Sequence, residues 1–148
     1  MTEGELKPII KIVTEYFLNV TGVPAVMGLP YIKREGDPVF DFTGVIGISG
    51  TRRGGVYYTA GRELLAEFGK FILGGEDLDD DALNDLVGEM TNTIAGNMRE
   101  IFGSSFLISV PIILKGKIDN ISMRLKPPVF VIPIKWKEHT SHLAVGLE

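Results

Sequence analysis

Asp85-Leu-Val-Gly-Glu89-Met-Thr-Asn92-Thr-Ile-Ala-Gly96-Asn97 reads as one helix whose two faces differ in character. At about 100° per residue, Leu83, Val87, Met90, Ile94, Met98 and Ile101 fall within a stripe about 80° wide, enough to dock on a core. Asp85, Glu89, Asn92 and Gly96 gather on the opposite side, at spacings of four, three and four, and so stand one above another. The spacing predicts a carboxylate and a carboxamide presented together on an outward surface, where a core has no use for them. Gly88 and Gly96 interrupt the same helix, each at about 0.8–1 kcal/mol relative to alanine. Neither projects into the apolar stripe. That argues against close packing in the core and for a flattened surface around Glu89 and Asn92 that another body can approach. The alternative is an ordinary solvated face that tolerates two glycines.

Outward from this helix the remaining elements follow. Thr2 and Glu5 have capping-box spacing, Pro8 falls early enough to be tolerated, and Leu6, Ile9, Ile10, Val13, Phe17 and Val20 keep helical spacing until Gly22 and Pro24. From Met27 to Phe42 the chain reads as loop with short extended pieces. Thr43–Ser49 and Gly55–Thr59 are β-rich runs around Gly50-Thr-Arg-Arg-Gly54, which is hairpin chemistry. Leu64, Leu65, Phe68, Phe71 and Ile72 mark a second amphipathic helix closed by Gly74-Gly75. The acidic cluster Glu76, Asp77, Asp79, Asp80 and Asp81 then suits the start of the long helix, where carboxylates cap free amides and meet the positive dipole end. Phe106–Leu114, Val129–Ile134 and His142–Leu147 are three further strand candidates. Pro111 and Pro133, which cannot donate to a ladder, place the first two of these at an edge, a bend or a bulge. This order predicts an α+β fold with helices packed on one face of a mostly antiparallel sheet, as one domain over residues 1–148.

The chain has 148 residues with 45% apolar content, enough for a substantial core. Fifteen basic against nineteen acidic side chains give a net charge of −4, which argues against a nucleic-acid partner. Cysteine is absent, so thiolate nucleophiles, disulfides and cysteine metal sites are excluded. The opening MTEGELKPII has no signal-peptide character, and no run of 18 or more apolar residues could span a membrane, so a cytoplasmic protein is expected.

Other chemistry lacks parts. The Gly50–Gly55 segment could cradle a phosphate through Arg52 and Arg53, yet it has no Walker lysine and lies between strands; a hairpin turn with exposed arginines is the simpler reading. The acidic run lacks the alternation of a calcium loop. His139 and His142 have a spacing that could share a metal, but no carboxylate partner stands nearby in sequence, and ordinary surface or edge-strand histidines are expected. Gly47-Ile-Ser49-Gly50 is not a nucleophile elbow.

With these residues in view, the chain resembles the CheX branch of the CheC/CheX/FliY family of bacterial chemotaxis phosphatases. That family carries Asp or Ser, three residues, Glu, two residues, Asn on a helix, matched by Asp85, Glu89 and Asn92. Tyr31-Ile-Lys-Arg-Glu-Gly, Thr43-Gly-Val-Ile-Gly-Ile-Ser-Gly50, Ile94-Ala-Gly-Asn97, Ile108-Ser-Val-Pro111 and Val131-Ile-Pro133 also look like CheX segments in the same order. One copy of the signature is found, as in CheX, where CheC-type members carry two. The resemblance implies a hydrolase of two-component signalling that dephosphorylates the phosphoaspartate of a CheY-type response-regulator receiver domain. Glu89 and Asn92 would be catalytic, Asn92 orienting the attacking water and Glu89 pairing with the receiver's lysine. Asp85, Gly88 and Gly96 would serve partner binding. It further implies no cofactor in this chain, Mg2+ on the receiver, and a homodimer whose sheets join near Pro111 or Pro133. Two rival functions remain at this point: a receiver- or flagellar-component-binding module without turnover, and a small-ligand sensor using the sheet or the Arg52-Arg53 turn.

Overall fold

The computed structural model describes residues 1–34, 36–74, 77–116, 125 and 128–148; Glu35, Gly75 and Glu76 of the segments quoted above lie outside them. In chain order the elements are α1 (Glu3–Thr21), β1 (Ala25–Met27), β2 (Tyr31–Ile32), β3 (Phe42–Gly50), β4 (Gly54–Ala60), α2 (Arg62–Leu73), α3 (Asp80–Asn97), α4 (Arg99–Phe102), β5 (Phe106–Ile108), β6 (Ile112–Lys115), β7 (Phe130–Trp136) and β8 (His139–Leu147). The caps form as the side chains dictate. Thr2 and Glu5 close a capping box on α1, the Thr2 N–H donating to Glu5 Oε1 at 2.9 Å. Asp79 caps α3 by accepting from the Ala82 N–H at 2.9 Å.

The strands form one sheet in the order β1-β7-β8-β4-β3-β5, with β2 also on β7 and β6 also on β3, and every pairing antiparallel. Side chains alternate across it as a period of two requires. Phe42, Ile46, Val56, Tyr58, Leu143, Val145, Ile132, Ile134 and Trp136 join the main core with Leu6, Val13 and Phe17 of α1, Leu65 and Phe68 of α2, and Val87, Met90 and Ile94 of α3. The opposite face carries a smaller cluster of Tyr57, Val131 and Ala144, with Tyr31, Val45, Leu125 and Val129 against it. The expected architecture is thus the observed one, with more apolar cover on the far face than a solvated sheet would need.

Two departures come from proline and from close packing. The expected single strand over Phe106–Leu114 is split: Ile108 pairs with Ile48 and Ile112 with Val45, so Ser109, Val110 and Pro111 stand against only Gly47 and Ile46. That extra residue is a bulge, centred where Pro111 has no N–H to give. Pro133 solves the same problem differently. Its carbonyl accepts from the Gly28 N–H at 2.8 Å, so its nitrogen faces the same flank, in the gap between the β1 and β2 pairings. The long helix also stops short of Ile101: the Met98 N–H is shared between the Ile94 and Ala95 carbonyls, both at 3.2 Å, and α4 follows as a separate turn.

What fixes α3 on the sheet is the missing side chain at Gly44. A Cβ there would meet Thr91 Oγ1 at 2.2 Å, Thr91 Cβ at 2.9 Å and the Val87 carbonyl oxygen at 3.1 Å. The helix therefore lies almost in backbone contact with β3. At its start, Asp80 bridges Arg62 of α2 and Lys115 of β6. Hydrogen bonds from Arg62 and then Lys115 bring its carboxyl from an ordinary 3.8 down to about 2.

Candidate functional site

α3 turns Leu83, Leu86, Val87, Met90, Thr91, Ile94 and Ala95 into the core. The opposite face leaves Asp85, Glu89 and Asn92 exposed, as the helical spacing predicts. Among the described residues none of these three side chains makes a hydrogen bond or an ion pair. Free carboxylate and amide groups on a helix that is otherwise locked to a sheet are positioned without being occupied. Their backbone is rigid even though the side chains are at liberty.

The face borders a groove of about 630 Å³, with Asn84, Asp85, Glu89 and Asn92 on one side and Ile108 to Pro111 and Ile113 on the other. Gly88 lines it too, and here the sequence expectation needs correcting. Gly88 is buried, and a Cβ on it would meet Ile113 Cδ1 at 2.8 Å. It lies on the flank of the helix that leans on β6, so close packing within the fold, which the sequence argued against, accounts for this glycine. Gly96 fits the expectation better. It is half-buried, and its nearest neighbour is Ile108 Cδ1 at 3.9 Å, ordinary contact with room to spare.

Sequence reasoning missed three contributors to this site. Tyr16 of α1 is buried against Phe17 and Phe68, and burial, then the Glu89 charge, pushes its phenol well above the usual range. Asn84 lies one turn before Gly88, and its Oδ1 is buried without a hydrogen-bond partner among the described residues. Ser109 pins the bulge: its N–H donates to the Gly47 carbonyl and its Oγ accepts from the Gly47 N–H, both at 2.9 Å. Asn84 could have been found from its four-residue spacing to Gly88. The others come from elements distant in sequence.

The remaining candidates fall away on geometry. His139 and His142 are three apart on a strand, which sends them to opposite faces. His139 stacks near Trp136 and lies 3.1 Å from Glu67, a carboxylate partner invisible in the sequence. His142 is neither a surface nor an edge residue: it sits on the central strand β8, buried against Phe40 and Tyr31, and burial lowers its pKa. Arg52 is not a free turn arginine either, being ion-paired with Glu5 at 2.6 Å and lying over the Phe102 ring at 5.0 Å. A second cavity, of about 550 Å³, is lined by Arg62 and Lys115, but both cations are already committed to Asp80. No described helix is long and apolar enough to cross a membrane.

Comparison with known proteins agrees with this fold. No functionally curated sequence matches the chain. Among solved structures it is similar to the chemotaxis protein CheX of a Desulfovibrio desulfuricans subspecies, at 27% identity and TM-score 0.85 over 98% of this chain and 99% of that one. A putative chemotaxis protein of Desulfovibrio vulgaris Hildenborough matches at 26% identity and TM-score 0.81, covering 98% and 97%. CheX of Borrelia burgdorferi, solved as a CheX–CheY–BeF3–Mg2+ complex, shares the fold at 18% identity and TM-score 0.75 over 97% of each chain. The family model for the chemotaxis phosphatase CheX matches residues 42–135, a span running from the first residue of β3 through α3 to Lys135 of β7. With more than half of the chain inside that match, α3 and the strand β3 beneath it included, this chain belongs to the CheX family of chemotaxis phosphatases.

Proposed function

We propose that the exposed face of α3 accelerates hydrolysis of the phosphoaspartate on a CheY-type receiver domain. The observation that carries this reading is the pair Glu89 and Asn92, exposed and unpaired, one turn apart on a helix whose other face is fully buried. The Borrelia burgdorferi fold relative, solved with CheY, BeF3 and Mg2+, supports a receiver as the partner.

The chemistry asks little of the protein beyond placement. A water oxygen attacks phosphorus in line with the aspartyl oxygen; the P–O bond to the aspartate breaks, leaving a carboxylate and inorganic phosphate. Asn92 can accept a proton of that water through Oδ1 and donate elsewhere through Nδ2, fixing the nucleophile without acting as a strong base. Phosphoryl transfer responds to alignment and charge compensation more than to covalent assistance. Glu89 would pair with the receiver's lysine and set the register, and Asp85, one turn back, would add a contact. Gly96 would leave room for the partner's backbone, whereas Gly88 serves the internal packing described above. Mg2+ would be held by the receiver, and the protein would act as a homodimer.

Decay of a phosphorylated receiver, followed with wild type and Asn92→Ala, tests the reading. Wild type accelerates the decay and the folded variant does not. Equal rates would remove Asn92 from the mechanism. Tight binding without acceleration by either protein would identify a docking module instead.

A further inference from the structure

The groove beside Glu89 has a second wall with chemistry of its own. Ile108, Val110, Pro111 and Ile113 line it, and Val110 among them is 83% exposed; the exposed Leu107 and Ile112, paired with Ser49 and Val45, lie on the other face of the sheet. Scattered exposed apolar residues need no explanation, but an apolar wall that faces a carboxylate and an amide across one groove marks a contact surface. The wall is also stiff. Ser109 holds the bulge to Gly47 through two hydrogen bonds of 2.9 Å and donates its own hydroxyl to the Val110 carbonyl at 3.1 Å. Pro111 narrows the backbone of the residue before it. A preformed apolar lip loses little entropy when it is covered.

We infer that Val110, at the crest of the Ser109–Pro111 bulge, is a specificity-determining contact for the same receiver that α3 engages. It would meet an apolar side chain on the rim of the receiver's active site, next to the lysine that pairs with Glu89. This inference rests on the proposed function, because continuity decides the occupant: the lip and the acid–amide face line one groove, so a body seated on Glu89 and Asn92 covers Val110 as well. The division of labour is physical. Asp85 and Glu89 attract any receiver that offers a cation, whereas an apolar contact discriminates by shape between receivers with similar charge.

The experiment measures binding and turnover separately. Each CheY-type receiver of the source organism, activated with beryllofluoride and Mg2+, is titrated against wild type, Val110→Asp, Val26→Asp and Asn92→Ala. Val26 is 65% exposed on the opposite edge strand and serves as the control. The expected result is binding about tenfold weaker for Val110→Asp, equivalent to about 1.4 kcal/mol, with Val26→Asp and Asn92→Ala close to wild type. In turnover, Val110→Asp raises the concentration for half-maximal acceleration and leaves the saturated rate within about twofold. Unchanged binding by Val110→Asp overturns the inference while leaving the phosphatase reading intact. Loss of self-association in that variant, with receiver binding unchanged, assigns the lip to a second copy of the chain and also overturns it. Binding without turnover by wild type removes the phosphatase reading but keeps the lip, provided Val110→Asp still weakens the complex. No receiver binding by wild type sinks both.

Discussion

The contact between Gly44 and α3 carries a prediction whose magnitude follows from the distances. Gly44→Ala would place its Cβ 2.2 Å from Thr91 Oγ1 and 2.9 Å from Thr91 Cβ. Ordinary contact needs about 3.4–4 Å, so helix and strand must separate by roughly an ångström. Overpacking of this kind costs about 1–3 kcal/mol, and the severity of the overlap puts this site at the upper end. Alanine returns about 0.5–1 kcal/mol because glycine is a poor strand residue. The net loss is about 2 kcal/mol, a fall in Tm of about 6 °C for a chain of this size. Thr91→Ala in the same background removes the 2.2 Å clash but leaves the one at 2.9 Å. The double variant should therefore regain about half the loss, read as a coupling energy in a urea-denaturation cycle. A Gly44→Ala protein within about 0.5 kcal/mol of wild type, or a cycle with no coupling, would refute the claim that α3 rests on the backbone of β3.

Three further expectations can be checked directly. Asn92→Ala should lower the saturated rate of phospho-receiver decay by about a hundredfold, whereas Glu89→Ala should chiefly raise the concentration of protein needed; single-turnover kinetics separate the two. Asp80 has a carboxyl held down at about 2 against an ordinary 3.8, so its stabilising effect is complete above about pH 5 and lost as the pH falls through 4 towards 2. Asp80→Asn should flatten that limb of the stability profile, and an unchanged acid limb would show the bridge contributes nothing. The single tryptophan, Trp136, is fully buried and donates from Nε1 to Thr21 Oγ1 at 3.2 Å. Thr21→Val should destabilise the fold by about 1–3 kcal/mol through the orphaned donor, with emission that stays blue-shifted and poorly quenched by iodide until unfolding.

Much of the fold was legible because local signals and burial agree. The capping box at Thr2 and Glu5, the hairpin around Arg52 and the apolar stripe of α3 each depend on residues close in sequence. The outward aim of Glu89 and Asn92 was legible for the same reason, since helical phase alone sets it. What escaped sequence reasoning came from neighbours distant in the chain. Gly88 looked like part of an open surface until Ile113, on a strand that arrives later, filled the space beside it. Glu67 meets His139, and Glu5 meets Arg52, across the fold. Burial of His142 needed the knowledge that β8 is central, which strand order alone supplies. The split of β5 from β6 was half legible: Pro111 forbade a regular ladder, but only the register on β3 shows that an extra residue is accommodated there.

The two rims of the sheet share a property that bears on how the protein behaves when crowded. One is made of β1 and β2, three and two residues long, laid end to end on β7; the other of β5 and β6, three and four residues, on β3. Each pair is interrupted by a segment containing a proline, Pro30 in one and Pro111 in the other. A foreign strand trying to zip onto either border finds only a few consecutive amides before the template breaks, which guards a chain so rich in branched aliphatic strands against fibre growth.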